Sequence, residues 1–290
     1  MQFLDGVGDK ELVAHQEKSK HQGNGGVIRG WATSAGTKDF FNKKQSISTS
    51  SSYSYSPSSD LFWSKIGVGS YLGDASDSEV SQLVEDAVYQ SIRYGGINVV
   101  DTSINYLGQK AERAIGKALK KLILKEHSVT RSQIMIATKG GFIPADADAD
   151  TSPKSVLAQW MVEYAAEASN LEAAEETAKK FPVDQIVQQK HCIDPICLSI
   201  SLKKSMINLG VSTVDLFYLH NIEKQLEEVS REELKKRLLR AFIKLEQMRK
   251  KHLIRFYGLA TWNLFRVNSN HKLYFSLKEV TEIAEAALIG

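Results

Sequence analysis

Four side chains that can carry out acid–base chemistry lie where apolar segments of this sequence end. Asp101 closes one such segment, and Tyr106 follows in the next loop. Lys139 ends a second apolar segment, and His220 ends a third. A charge left unpaired at the end of a buried strand is costly, so these residues need partners. We therefore expect the four side chains to converge at one rim of a sheet.

The chemistry available to this set is the protonation of a polarised carbonyl. Tyrosine is a weak acid with a reference pKa of about 10, and a nearby lysine cation favours its phenolate, which makes the phenol a better proton donor. A carboxylate keeps the lysine charged, and a histidine can hydrogen-bond the carbonyl oxygen. Together the four could protonate that oxygen while a nicotinamide delivers hydride. Taken alone, Tyr106 is more simply a packing residue and His220 a satisfied one; only the combination favours catalysis.

Strand and helix patterns alternate five times from about residue 65 onward. Short β-branched segments bounded by glycine are followed by longer segments with apolar residues at helical spacing. The predicted strands are 66–72, 97–100, 133–139, 214–219 and 254–260. The predicted helices are about 77–92, 109–122, 195–208, 231–252 and 276–288. This alternation is typical of an α/β protein with a parallel sheet and helices outside it.

A doubly wound sheet and a (β/α)₈ barrel both fit that alternation. In a barrel, functional side chains gather at the carboxyl ends of several strands. A dinucleotide-binding fold instead concentrates its signal in one glycine loop, and Gly67, Gly69 and Gly73 lack the spacing of that loop. Because three strands each end in an ionisable residue, we predict a TIM-type barrel of which about five βα units are present.

Two stretches fall outside the repeating pattern. Residues 1–60 are polar and include a Ser/Tyr-rich run, and we interpret them as an irregular low-complexity extension. A short hairpin between Gly30 and Phe62 is the alternative. Residues 61–290 then form the barrel domain, with an insertion at about 142–194 that contains a predicted helix near 155–180. An insertion of this length is more often functional than accidental.

Composition excludes several classes of protein. The 290 residues carry a net charge of +3, too close to neutral to favour nucleic acid. No apolar run approaches the roughly 20 residues that span a bilayer, and the first residues lack the apolar core of a signal peptide. Cys192 and Cys197 do not make a disulfide framework, and with His191 they lack the spacing of a zinc site. We therefore expect a cytoplasmic protein without a bound metal.

Four segments resemble motifs of the aldo-keto reductase family, in the same order and at the same strand positions. They are Asp101-Thr102-Ser103-Ile104-Asn105-Tyr106, Ala137-Thr138-Lys139-Gly140-Gly141, Leu219-His220-Asn221 and Tyr257-Gly258-Leu259-Ala260-Thr261-Trp262. The resemblance covers about 65–265 and implies a TIM barrel that reduces an aldehyde or ketone to an alcohol with NADPH. By the family's roles, Tyr106 is the general acid, Lys139 and Asp101 tune it, and His220 orients the carbonyl.

The resemblance also implies contacts with NADP. Gly69-Ser70-Tyr71 resembles the Gly-Thr-Tyr that follows the family's first strand and touches the cofactor. After the fifth strand the family commonly has Ser-Asn, which holds the nicotinamide carboxamide. Ala260-Thr261 stands there instead, so only Thr261 offers a side-chain hydrogen bond.

The family's barrel has three further strands, and with them the site for the cofactor's phosphates. We therefore expect the 290-residue chain alone to bind NADPH weakly, to show little reductase activity, and to self-associate through the open edges of its first and fifth strands. The competing hypothesis is a non-catalytic barrel fragment that acts as an interaction protein, like the potassium-channel β subunits of this fold.

Overall fold

Strands and helices alternate along most of the chain in the computed structural model, which describes residues 26–44, 52–166, 176 and 178–289. The strands are β1 Tyr53–Ser56, β2 Leu61–Ser64, β3 Val68–Gly69, β4 Val99–Asp101, β5 Met135–Gly140, β6 Val214–His220 and β7 Ile254–Ala260. The α-helices are α1 Ser34–Lys44, α2 Val80–Arg93, α3 Lys110–Lys120, α4 Pro153–Ala166, α5 Pro195–Leu209, α6 Arg231–Lys250 and α7 Leu277–Ile289. Within these described ranges, no helix is both long enough and apolar enough to cross a membrane.

Strands β3 to β7 form one parallel sheet in sequence order, with β3 and β7 at its edges. This is the α/β arrangement that the sequence predicts. Strand β7 has the predicted bounds, and β4 to β6 overlap their predicted segments. The predicted first strand, 66–72, was too long, because only Val68 and Gly69 pair with β4. The flanking Ile66 and Leu72 are exposed, and the interspersed glycines leave few side chains to pack.

The two faces of the sheet pack against different parts of the protein, because side chains alternate between the faces along each strand. Val100, Ile136 and Phe217 lie in the main core with the helices. The opposite face carries a smaller apolar cluster that also includes residues of the N-terminal segment. That cluster comprises Ala32, Leu61, Met135, Ala137, Leu216 and Phe256. Lys139, two residues beyond Ala137, lies on this second face.

The N-terminal segment corrects one interpretation, because its described part is not irregular. Helix α1 lies within 26–60, and β1 pairs antiparallel with β2 to form the hairpin that was the alternative. The Tyr/Ser run that looked like low complexity forms β1, in which both tyrosines lie on one face; Tyr53 is buried and Tyr55, nearer the turn, is exposed. Residues 1–25 and 45–51 of the predicted extension lie outside the described residues.

A buried carboxylate fastens this segment to the sheet. Asp215 Oδ1 accepts a hydrogen bond from the backbone nitrogen of Ala32 at 2.7 Å. Its Oδ2 accepts from the backbone nitrogen of Ile136 at 2.8 Å and from Arg131 Nη2 at 2.6 Å. Three donors compensate the buried charge. Tertiary contacts therefore fix a segment whose own composition is too polar to predict structure.

The insertion after β5 packs against the loop that follows β4. Its helix α4 begins at Pro153, and residues 167–175 of the predicted helix lie outside the described residues. Trp160 and Phe181 of the insertion form an apolar cluster with Ile104. Arg113 of α3 adds ion pairs of 2.6 Å to the carboxylates of Asp146 and Asp148. The insertion is therefore anchored beside the loop that carries Tyr106.

Candidate active site

The parallel sheet brings the four predicted side chains to one rim. Asp101 and His220 are the last residues of β4 and β6, and Lys139 is the penultimate residue of β5. Carboxyl ends of parallel strands meet at the same edge of a sheet, which explains the convergence. Tyr106 opens a 3₁₀ turn, Tyr106–Gln109, directly after the loop that leaves β4.

Lys139 is buried and held by two oxygens. Its Nζ donates to Asp101 Oδ2 at 2.7 Å and to the carbonyl oxygen of Thr102 at 2.7 Å. Burial lowers the pKa of Lys139, and the neighbouring Asp101 carboxylate opposes that shift. The predicted lysine–aspartate pair is thus present, with Asp101 holding the proton on an otherwise unfavourable buried ammonium.

Tyr106 lies against this pair. Lys139 Nζ is 4.8 Å from the centre of the Tyr106 ring, on its face, and the Tyr71 ring packs against its edge at 5.1 Å. The pKa of Tyr106 is raised to about 12, first by burial and then by the charge of Asp101 and by Tyr71. The sequence argument considered only the lysine, whereas burial and the charge of Asp101 dominate, so the net shift of the Tyr106 pKa is upward. Tyr106 is therefore a protonated phenol at neutral pH.

The turn that presents Tyr106 has an unusual backbone. Leu107 and Gln109 have φ angles of 50° and 71°, and Gly108 between them has 57°. Such left-handed conformations cost energy in residues other than glycine, and surrounding structure must impose them. The insertion supplies part of that structure, because Ala147 donates its backbone N–H to the carbonyl of Gly108 at 3.0 Å. A β-carbon at Gly108 would lie 2.8 Å from Ala147 Cβ, so the close approach requires glycine.

His220 completes the rim as a neutral imidazole. Its ring meets the Tyr106 ring edge-on at 5.8 Å and the Phe142 ring at 5.1 Å. Its Nδ1 lies 3.3 Å from Ser103 Oγ. Burial lowers the pKa of His220 to about 3, and the positive charge of Lys139 and nearby His191 add to the effect. The ring can therefore donate or accept one hydrogen bond without becoming cationic.

A second buried histidine supports this arrangement, and sequence reasoning treated it as incidental. His191 Nε2 lies 2.8 Å from the backbone oxygen of His220, and its Nδ1 lies 2.8 Å from Gln225 Nε2. Since the amide of Gln225 donates to Nδ1, the Nε2–H donates to His220. Burial lowers the pKa of His191 to about 4. The only hint of this role in the sequence was the position of His191 near the end of the insertion, just before the next helix of the repeating pattern.

The predicted cofactor contacts are only partly available. Gly69 and Tyr71 are exposed beside the rim. Ser70 is buried, and its Oγ donates to Thr102 Oγ1 at 2.8 Å. The hydroxyl group of Thr261 donates a hydrogen bond to Glu223 Oε2 at 2.6 Å. The side chain that was expected to hold the nicotinamide carboxamide therefore has a partner within the protein.

Glu223 organises the loop after β7, a role that no motif or spacing in the sequence indicated. Besides Thr261, its carboxylate accepts the backbone N–H groups of Trp262 and Asn263, each at 3.0 Å. Glu223 is buried and lies three residues beyond His220. One carboxylate therefore joins the loop after β6 to the loop after β7. The hydroxyl of Thr261, which was predicted to bind the carboxamide, is therefore already hydrogen-bonded to a side chain of the protein.

The hydrogen-bond donors at this rim fit a carbonyl substrate that lies next to a nicotinamide. A phenol, an ammonium and an imidazole share one rim, and the exposed Tyr71 packs its ring against that of Tyr106 there. These groups suit a carbonyl oxygen that gains negative charge as hydride arrives. Gly69, Tyr71 and Thr261 are the residues that would border the nicotinamide.

A family model and several solved structures match this chain. The sequence model of the Aldo/keto reductase family matches residues 65–283. No curated protein matches the chain. Among solved structures, an aldo-keto reductase from Bacillus halodurans in its holo form aligns at 20% identity with a TM-score of 0.41, over 73% of this chain and 51% of its own. A glycerol dehydrogenase from Gluconobacter oxydans aligns at 16% identity with a TM-score of 0.48, over 82% of this chain and 53% of its own. The chain thus spans about half the length of these structures.

Proposed function

The chain belongs to the aldo/keto reductase family, and from that premise we propose that it carries the catalytic half of an enzyme that reduces an aldehyde or ketone to an alcohol with NADPH. The observation that carries the proposal is the contact of the Lys139 ammonium with both the Asp101 carboxylate and the face of the Tyr106 ring. That contact joins a proton donor to a fixed positive charge at the rim where His220 lies.

In this mechanism Tyr106 protonates the carbonyl oxygen. Its raised pKa keeps the phenol protonated at neutral pH, while an alkoxide is a stronger base than a phenolate and takes the proton. The Lys139 ammonium stabilises the phenolate that remains, and Asp101 keeps that ammonium charged. The neutral His220 orients the carbonyl by a hydrogen bond from its ring. A bound NADPH supplies the hydride.

Because the 290-residue chain alone is expected to bind NADPH weakly, the direct test uses a form that carries the family's eight strands. It is titrated with NADPH, followed by nicotinamide fluorescence, and assayed for aldehyde reduction. Binding that shifts and enhances the fluorescence supports the proposal. A fall in that binding on Tyr71→Ala, with no change on Tyr94→Ala, would assign it to the rim. Absence of binding in a form that carries all eight strands would overturn the proposal.

A non-catalytic interaction protein is the second candidate, and the engaged hydroxyls of Ser70 and Thr261 favour it. Both belong to segments expected to contact the cofactor, and both donate their protons within the protein. The two candidates differ in one measurement. An interaction protein built on this fold would show no turnover even where NADPH binds, because binding alone does not require Tyr106 to reach a carbonyl oxygen.

A further inference from the structure

A cavity of about 650 Å³ lies far from the catalytic rim. Its walls come from α5 and α6, from the loops that precede β6 and β7, and from the end of α3. Those loops enter the strands, so the cavity lies toward the amino ends of the sheet, while the four catalytic candidates lie at the carboxyl ends. Its volume is in the range of pockets that bind small organic molecules, roughly 300–1,000 Å³.

The lining of this cavity combines apolar walls with positive charge. The apolar members are Leu202, Met206, Ile207, Val211, Met248 and Leu253. The charged members are Lys120, Lys203, Lys244 and Lys251, and no Asp or Glu of the described chain lines the cavity. In the same described residues, no carboxylate forms an ion pair with Lys120, Lys244 or Lys251. The charges of these three lysines beside the apolar walls are therefore not compensated by a carboxylate within the described residues.

Lys244 and Lys251 lie close enough to affect each other, and Lys120 reaches the same cavity. Burial lowers the pKa of Lys244, and the charge of Lys251 lowers it further. The side chain of Lys120 lies across Gly210, the residue that follows α5 and has a φ of 67°. A β-carbon at Gly210 would lie 2.7 Å from Lys120 Cε. Repulsion among fixed cations is relieved when an anion lies between them.

We propose that this cavity binds an amphiphilic anion, a small molecule with an apolar body and one carboxylate or phosphate head. The apolar body fits the walls formed by Leu202, Met206 and Met248. The head meets the ammonium groups of Lys244 and Lys251, which act as point charges for such groups. A neutral apolar molecule leaves the lysines uncompensated, and a bare phosphate leaves the walls exposed to water, so neither alone satisfies the site. The proposal does not depend on the reductase function.

Dodecanoate, used below its micelle-forming concentration, is a suitable probe, with dodecanol and inorganic phosphate as the two partial ligands. Calorimetric titration of the 290-residue chain is expected to show one dodecanoate bound per chain, with each partial ligand at least about tenfold weaker. Equal binding of dodecanol would overturn the role of the lysines, and equal binding of phosphate would overturn that of the walls. No binding of dodecanoate would overturn the proposal outright.

Two variants locate the binding. Replacing both Lys244 and Lys251 by Gln is expected to weaken dodecanoate binding about tenfold or more, while the exposed Lys278→Gln leaves it unchanged. Ile207→Asp places a carboxylate at the mouth of the cavity on a side chain that is 64% exposed, so the fold tolerates it. This variant is also expected to lose binding, whereas Ile66→Asp, at a side chain 71% exposed elsewhere, retains it. Unchanged affinity in the Ile207 variant would place dodecanoate outside the cavity.

Discussion

The rings of Tyr106 and His220 meet edge-on, with their centres 5.8 Å apart and their planes at 78°. One residue comes from a turn after β4 and the other from the end of β6, so only the folded sheet brings them together. A carbonyl oxygen that lies between a phenol and an imidazole can be hydrogen-bonded by both.

Replacing Tyr106 by Phe removes the proton donor and keeps the ring against Lys139 and His220. We expect carbonyl reduction to fall by about 10²–10⁴, the usual contribution of a general acid, with little change in NADPH affinity. The measurement is single-turnover reduction in a form of the protein that carries the family's eight strands. Tyr94→Phe, which alters an exposed ring directly after the end of α2, is the matched control. An unchanged rate in Tyr106→Phe would exclude this residue as the donor.

Replacing Asp101 by Asn removes the charge that keeps Lys139 protonated. Burial already lowers the pKa of Lys139 and Asp101 opposes it, so the pKa falls further in the variant. The ammonium is then lost at a lower pH, and the alkaline limb of the pH dependence of reduction moves in the same direction. NMR titration of isotopically labelled lysine measures the pKa directly, with the exposed Asp86→Asn as control. A rise in the pKa of Lys139 would contradict the assignment.

Replacing His191 by Gln preserves a donor toward the carbonyl of His220 and an acceptor toward Gln225, but removes a titrating group. In the folded protein the pKa of His191 is about 4, against 6.5 for the ordinary side chain. The unfolded chain therefore binds the extra proton first, and the free energy of unfolding decreases as pH falls from 6.5 to 4. For this residue the loss amounts to about 3 kcal/mol.

We expect the His191→Gln protein to lose less stability over that interval, by about the same 3 kcal/mol at its acid end. Urea unfolding at a series of pH values measures the difference. The exposed His271→Gln serves as control and should follow the parent protein. If the parent and His191→Gln curves run parallel, His191 is not buried as a neutral ring.

The sequence allowed the sheet and the catalytic candidates to be predicted, because both follow from short-range patterns. An apolar run that ends in Asp101, Lys139 or His220 identifies a strand and its polar end together. The topology then dictates their convergence, since parallel strands have their carboxyl ends at one rim. No such local rule exists for the residues that support the site.

The supporting residues depend on tertiary contacts that spacing does not encode. Glu223 is an acidic residue in a loop until β7 brings the N–H groups of Trp262 and Asn263 to it. The N-terminal segment is too polar to predict order, and it acquires order from the buried carboxylate of Asp215. The pKa of Tyr106 likewise depends on how deeply the ring is buried, which the sequence does not state.

Replacing Glu223 by Gln tests the organisation of the loop after β7. The amide nitrogen cannot accept, so at least one of three hydrogen bonds to a charged group is lost. We expect the free energy of unfolding to fall by about 1.5–3 kcal/mol and the exposed Trp262 to become more accessible to a fluorescence quencher. Glu285→Gln, on the exposed side of α7, is the control. Unaltered quenching and stability together would mean that the loop does not depend on Glu223.

The last prediction concerns the two edges of the sheet. Within the part of the chain that the structure describes, strand β3 pairs only with β4 and strand β7 only with β6, so each presents unpaired backbone groups. Beside β3, Leu72 is 82% and Leu83 is 60% exposed. Each large apolar side chain left in water forgoes roughly 1.5–3 kcal/mol, against a net stability of about 5–15 kcal/mol for a domain. Self-association that covers these side chains is therefore favourable.

We expect sedimentation velocity to show concentration-dependent association of the purified chain. Glutamate at both Leu72 and Leu83 should reduce the association, and Val162→Glu on α4, at a side chain 68% exposed, should not. A single monomeric species at all concentrations, in the parent chain, would show that these edges are not used.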